Sequence, residues 1–204
     1  LRRLVAEEPI GDVHRFESRI ERMRVALKGN WRESAAPQEM GGVLLDFGAH
    51  LVDQAIELMG PVEAVSAVAR STRFAGTSDD DVEFVLHHGR GAISVLVASQ
   101  AAAFSAPRFT AFGTTGGVRI DACDTQEDAL KAGRTPADGP WGSEPASSVA
   151  EIRLLQDGAM RDEPRVPLDR GRWDTFYPAV AAAVLDGTAP PVPFADAVQN
   201  MRVL

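Results

Sequence analysis

The stretch from Gly41 to Pro61, GGVLLDFGAHLVDQAIELMGP, constrains this chain more than any other. Glycines precede it, Gly60 is placed to take the left-handed conformation that ends a helix, and Pro61 cannot continue one, so the stretch predicts a single helix. At about 100° per residue, Asp46, His50, Asp53 and Glu57 fall within a sector of roughly 60°, while nearly all the remaining circumference is apolar. A helix so apolar is buried on most sides. Its one ionisable stripe then faces either water or a cleft, and the pair Asp46 and His50, one turn apart, can act on one small molecule. The pattern alone leaves both open, because a core helix with one exposed edge shows the same stripe.

The segments 62–74, 81–88 and 92–100 are rich in Val, Ile and Phe, lack helical periodicity and predict strands. His88-Gly89-Arg90-Gly91 reads as the tight hairpin between two of them. His87 and His88 read as turn residues rather than metal ligands: in a strand they would point to opposite faces, and no Cys or carboxylate lies at ligand spacing. From Asp12 to about Leu27, Val13, Phe16, Ile20, Met23 and Val25 alternate imperfectly with charged residues, as in one long strand with a wet face. Arg19, Arg22 and Arg24 belong to that solvated face, unless Arg22 or Arg24 reaches a substrate oxygen or phosphate. Residues 29–40 read as a loop leading to the key helix, in which Trp31 either stacks on a sugar ring or covers the core.

Phe112-Gly113-Thr114-Thr115-Gly116-Gly117 lacks the G-x-G-x-x-G spacing, and a strand follows it rather than a helix whose amino end could hold a pyrophosphate. It predicts a hairpin, and no segment here offers the strand-turn-helix device for a dinucleotide. Residues 121–163 read as a long excursion with short elements at 126–132 and 150–156. Trp173 to Asp186 predicts a helix capped by Gly187, and a final helix from Ala195 is still running at Leu204. Leu1 to Glu8 reads as the end of a helix broken by Pro9-Ile10-Gly11. The organisation expected is a linker helix over 1–11 and a second domain over 12–204, in a chain that opens on Leu1 and is taken for a fragment of a longer protein.

With 204 residues, 45% hydrophobic and 25% charged, the chain is long enough for a sizeable core. Its net charge of -8 argues against nucleic acid or an anionic membrane surface as partner. A single cysteine, Cys123, excludes an internal disulfide and suits a reducing cytoplasm, the expected location. No apolar run approaches the length of a membrane span.

The run from Gly41 to Gln54 resembles the signature helix of the glucose-fructose oxidoreductase, inositol dehydrogenase and rhizopine catabolism family (Gfo/Idh/MocA). Asn30-Trp31-Arg32-Glu33, Asp79-Asp80-Asp81, Pro107-Arg108-Phe109 and Trp141-Gly142-Ser143-Glu144 resemble a bacterial subgroup that includes NADP-dependent scyllo-inositol dehydrogenases, and Phe176-Tyr177 is similar to the family at large. The resemblance implies an α+β domain, like the carboxy-terminal domain of dihydrodipicolinate reductase. That domain is a large open, mostly antiparallel sheet with helices on one face, its free face making a homo-oligomer. An amino-terminal Rossmann domain, absent here, would hold NAD or NADP and supply the catalytic lysine. The start of the 41–50 helix is the only part of this chain implied to approach the cofactor.

In the family, the aspartate and histidine matching Asp46 and His50 lie beside the nicotinamide and the substrate hydroxyl. Oxidation of a secondary alcohol needs a proton acceptor as hydride leaves, and an imidazole with an unperturbed pKa of ~6.5 suits that exchange. His50 is the expected base, with Asp46 bonding a neighbouring hydroxyl, stabilising the imidazolium or fixing its tautomer. Arg24 and Trp31 are the expected substrate contacts, no metal is expected, and the substrate is a sugar or polyol resembling inositol. Two other readings stay open: a catalytically silent sugar sensor or regulator of the same fold, and a hydrolase or metal enzyme using His50 with Asp46 and Asp53.

Overall fold

The computed structural model describes residues 1–6, 10–121 and 124–204. Cys123 and the predicted helix break at Pro9 lie outside the described residues. In chain order, α1 (Arg2–Ala6) precedes β1 (Val13–Glu21), α2 (Val43–Asp46), α3 (Gly48–Met59), β2 (Val62–Arg70), β3 (Asp81–His88) and β4 (Ile93–Ser99). The chain continues with β5 (Phe109–Gly113), β6 (Gly116–Ile120), α4 (Gln126–Lys131), β7 (Val149–Gln156), β8 (Ala159–Asp162), β9 (Val166–Pro167), α5 (Phe176–Asp186) and α6 (Phe194–Val203). Among the described residues the strands form one 9-stranded sheet in the order β2-β3-β4-β1-β5-β6-β7-β8, with β9 beside β7. Among the described pairings only β1 with β4 is parallel, which gives the expected α+β architecture.

Period-2 alternation decides which face is covered. Along β3, Val82, Phe84, Leu86 and His88 are buried while Asp81, Glu83, Val85 and His87 face the other way. On β1, Phe16 and Ser18 are buried, and Arg15, Glu17 and Arg19 form an ion-paired row on the opposite face. Helices α2 and α3 lie over β1, β3 and β4, and α6 packs on α3, where Asn200 Nδ2 donates to the Ala49 carbonyl at 3.0 Å. The core under them is Phe16, Leu51, Val52, Phe84, Leu86 and Leu96, and a second cluster of Ile10, Ala111, Val118, Ile120 and Ala150 supports β5 to β7. Among the described residues no helix is long and apolar enough to cross a membrane.

The structure departs from the sequence reading in several places, among them the second strand, which ends at Arg70 rather than at residue 74. The key helix is two segments, interrupted at Phe47. Gly48 packs so closely that a Cβ there would lie 3.0 Å from Phe84 Cζ and 3.3 Å from Leu204 Cδ2, and a glycine weakens a helix where it stands. Gly60 has the expected positive φ of 82°, but its ψ of -165° lies outside the left-handed helical well. The first strand stops at Glu21 rather than near Leu27, beyond which only an isolated bridge, Met23 with Ala101, continues the pairing. His88 is no turn residue: it is 2% exposed at the end of β3, its Nε2 2.8 Å from Ser94 Oγ and its Nδ1 3.0 Å from the Gly60 carbonyl oxygen, pinning the turn after α3. His87 lies in β3 as well, exposed. Finally, residues 149–162 are the β7–β8 hairpin, part of the sheet, rather than the end of an excursion.

Candidate active site

The acidic triplet after β2 fixes where the α2–α3 rod begins. The Asp79 carbonyl accepts the Val43 amide at 3.0 Å, and its carboxylate accepts the Leu44 amide at 2.7 Å, so a distant side chain caps α2. Burial pushes the Asp79 carboxyl above its usual range, against the opposing pull of that amide. Gly42, at φ 105°, is required there, since a Cβ would lie 2.1 Å from Asp79 Oδ1. Asp80 accepts from the Thr72 amide and hydroxyl at 2.9 and 2.7 Å and from Arg73 Nε at 3.0 Å, closing the loop after β2. Burial opposes its charge, but the Thr72 and Arg73 donors outweigh burial and hold the carboxyl below its usual range. Asp81 pairs with Arg70. All three carboxylates are thus structural.

Beside the rod lies a cleft of about 770 Å³. Its helical wall is Asp46, Phe47, His50 and Gln54, and its strand wall is Ile20, Arg22, Arg24, Arg108 and Phe109. The loop before α2 adds Lys28, Asn30, Arg32 and Glu33, and the far arm adds Asp124, Glu127 and Trp173. Asp46 and His50 therefore share one wall, one turn apart across the break at Phe47. Of the remaining stripe, Asp53 is exposed and not among the lining residues, and Glu57 pairs with Arg2 at the surface. Arg24 lines the cleft. Trp31 does not; its ring lies under the Arg32 guanidinium, 4.4 Å away, and Arg32 Nε in turn donates to Asp46 Oδ1 at 3.2 Å.

Several residues that sequence reasoning missed complete these walls. Arg108 donates to Ser18 Oγ at 2.6 Å and to Gln54 Oε1 at 3.2 Å, and Ser18 also donates to Gln54 at 2.9 Å, so a buried hydroxyl of the central strand ties sheet to helix. Trp173 is placed by buried Gln126, whose Oε1 accepts its amide at 2.9 Å. Glu33 accepts the Lys28 and Gly29 amides at 2.7 and 2.8 Å, which outweigh burial and lower its carboxyl below the usual range. Hydrogen bonding from Lys131 does the same for Glu127, joined by the charges of Lys131, Arg22 and Arg24. Only Gln54 carried a local signal, standing one turn beyond His50 in the row 46, 50, 54. Arg32, Arg108 and Trp173 arrive from separate elements.

At the start of α2 the amides of Gly42, Val43 and Leu44 are taken by the Arg32 carbonyl and by Asp79. Gly113 to Gly116 joins two strands of the sheet, as the hairpin reading expected. Among the described residues no group of three or more His, Cys, Asp and Glu could hold a metal ion. A second cavity, of about 900 Å³, lies over β5 to β8, lined by Thr110, Phe112, Arg119, Arg153 and Met160 among others and lacking a histidine.

Residues 1–119 match the model of the GFO/IDH/MocA C-terminal domain. Over its full length the chain is 26% identical to scyllo-inositol 2-dehydrogenase (NADP(+)) IolW of Bacillus subtilis, covering 56% of that protein. It is 28% identical to the uncharacterized oxidoreductase YdgJ of Escherichia coli, covering 57% of it. Among solved structures, the YPO2259 putative oxidoreductase of Yersinia pestis superposes with a TM-score of 0.87 at 30% identity, over 98% of this chain and 55% of that one. The chain thus spans little more than half the length of the relatives it matches.

Proposed function

Because the chain belongs to the Gfo/Idh/MocA family, by its C-terminal domain, we propose that the whole protein is an NAD(P)-dependent dehydrogenase acting on a secondary alcohol of an inositol-like sugar or polyol. This chain supplies the substrate side of the active site. One observation carries the reading: Asp46 and His50 stand on one wall of a cleft whose other walls are rich in hydrogen-bond donors. His50, exposed at the cleft, takes the hydroxyl proton. Asp46 has Oδ1 held by Arg32, which leaves its other oxygen to accept from a neighbouring hydroxyl or from the imidazolium. Arg24 and the Arg108–Gln54 pair offer further donors and an acceptor to ring hydroxyls, and Trp173 offers an apolar face for a sugar. A nicotinamide bound by the rest of the whole protein would supply the hydride acceptor.

The test is reduction of NAD⁺ or NADP⁺ by the full-length protein with scyllo-inositol, myo-inositol and common aldoses, followed by the absorbance of the reduced nicotinamide. Turnover of at least one polyol supports the reading. Tight binding of a sugar without any turnover would instead favour a sensor of the same fold.

A further inference from the structure

Past the end of β1 the chain stays extended, with the Arg22 amide on the Ser99 carbonyl at 3.0 Å and the Arg24 amide on the Gln100 carbonyl at 2.9 Å. The Arg24 carbonyl accepts from Arg73 Nη1 at 2.7 Å, so this backbone is held from both sides. Period 2 sends Arg22 and Arg24 to the same side, where both line the cleft, while Met23 between them is 50% exposed. Neither guanidinium forms an ion pair with any described residue. Arg22 lies 4.8 Å over the Phe47 ring, next in sequence to Asp46, and its Nε is buried without a hydrogen-bond acceptor. A buried donor in that state is unfavourable until something accepts from it.

The carboxylates nearby are already engaged. Asp46 is held by Arg32, Glu127 by Lys131 at 2.7 Å, and Glu33 by backbone amides. Two like charges thus stand side by side in the wall of a cleft, in a chain whose net charge is -8. We propose that the substrate carries an anionic group, a carboxylate or a phosphate, which Arg22 and Arg24 bind together. This rests on the dehydrogenase reading of the same cleft and narrows its substrates from polyols in general to acidic ones. Guanidinium forks match the paired oxygens of either anion, whereas a neutral polyol brings no charge to pair with them. Burial, followed by repulsion from Arg24, lowers the Arg22 pKa from its usual value against the weaker pull of Glu127 and Asp46, and the opposite charge of a bound anion offsets that lowering.

The test compares matched pairs on the full-length protein: D-glucose with D-glucuronate, and myo-inositol with myo-inositol 1-phosphate. Each is assayed for NAD(P)⁺ reduction and, separately, for binding by calorimetry. The expected result is that one acidic member exceeds its neutral counterpart by about 10²-fold in kcat/KM, the worth of one charge-assisted bidentate contact. Which pair shows the preference tells carboxylate from phosphate. In Arg22→Gln/Arg24→Gln the ratio falls toward one through a rise in KM for the acidic member, while Arg22→Lys/Arg24→Lys keeps most of it. Equal or better turnover of the neutral members, or an unchanged ratio in the glutamine variant, overturns the proposal while leaving the dehydrogenase reading in place. If no member is oxidised but an acidic one binds and the glutamine variant abolishes that binding, the anion site stands and the dehydrogenase reading falls. Binding of no acidic member overturns the anion site.

Discussion

Replacing Asp79 by alanine removes the acceptor that starts the helix bearing Asp46. The structure sets the size of the effect: the Leu44 amide loses a 2.7 Å charge-assisted partner in a part-buried position, while the Val43 amide keeps the residue-79 carbonyl. Leaving one such donor unsatisfied costs about 2 kcal/mol, which for a domain of this size lowers the melting temperature by about 4–8 °C. Asp79→Asn keeps an acceptor oxygen without the charge. Because burial raises the folded Asp79 carboxyl above its usual range, the folded chain binds that proton more readily than the unfolded one. The stability this carboxyl contributes is therefore greatest below the ordinary aspartate range, falls as pH rises through the raised folded value, and is constant above it. The asparagine variant has no such dependence, so its stability relative to wild type rises across that acid window and is level at neutral pH. Thermal melting followed by circular dichroism, from acid to neutral pH, measures all of this. A melting temperature for Asp79→Ala within a degree of wild type, or Asp79→Asn as damaging as Asp79→Ala, would refute the capping role.

His88→Ala is expected to destabilise the fold by roughly 1–3 kcal/mol, because Ser94 and the Gly60 carbonyl lose their buried partner, while turnover of the folded fraction is kept; melting curves beside kinetics check it. The 204-residue chain by itself is expected to bind neither NAD nor NADP at micromolar concentration, because its glycine-rich turn at 113–116 joins two strands rather than a strand to a helix, and calorimetry decides this. It is also expected to self-associate through the sheet face opposite α3, where Val85, Ile93 and Val95 are only half-buried. Light scattering at about 20 μM should then give a multiple of 21.8 kDa, and a strictly monomeric mass counts against it.

What was legible in the sequence is what local periodicity can express. The apolar helix, the β3–β4 and β5–β6 hairpins and the terminal helices follow from spacing and turn residues, and the i,i+4 relation was enough to put Asp46 and His50 on one stripe. Arg19, Arg22 and Arg24 do not share one wet face: Arg19 has the parity of Glu17 and Glu21 on the ion-paired open face, whereas Arg22 and Arg24 have the parity of Phe16 and Ser18, and alternation carried past Glu21 sends them to the cleft. Nothing near Glu21 in the sequence marks the end of β1, because it is set by β4 stopping at Ser99. Gly48 reads as an ordinary helix interior position, because the Phe84 and Leu204 side chains that crowd it come from elements distant in the sequence. His88 read as a turn residue because its partners, Ser94 and the Gly60 carbonyl, come from other elements. Arg32, Arg108 and Trp173 were invisible as site residues for the same reason: tertiary contacts brought them together, and pattern reading sees only neighbours along the chain.

The most direct test of the central claim is steady-state kinetics on the full-length protein with His50→Ala, Asp46→Asn and the double variant, beside melting curves for each. If His50 accepts the proton and Asp46 acts with it, His50→Ala lowers turnover by roughly 10²- to 10⁴-fold with nucleotide affinity nearly unchanged. Asp46→Asn also slows turnover, and the double variant loses far less than the product of the singles. Near-normal turnover in folded His50→Ala would contradict the account and return His50 to an ordinary exposed position on the helix.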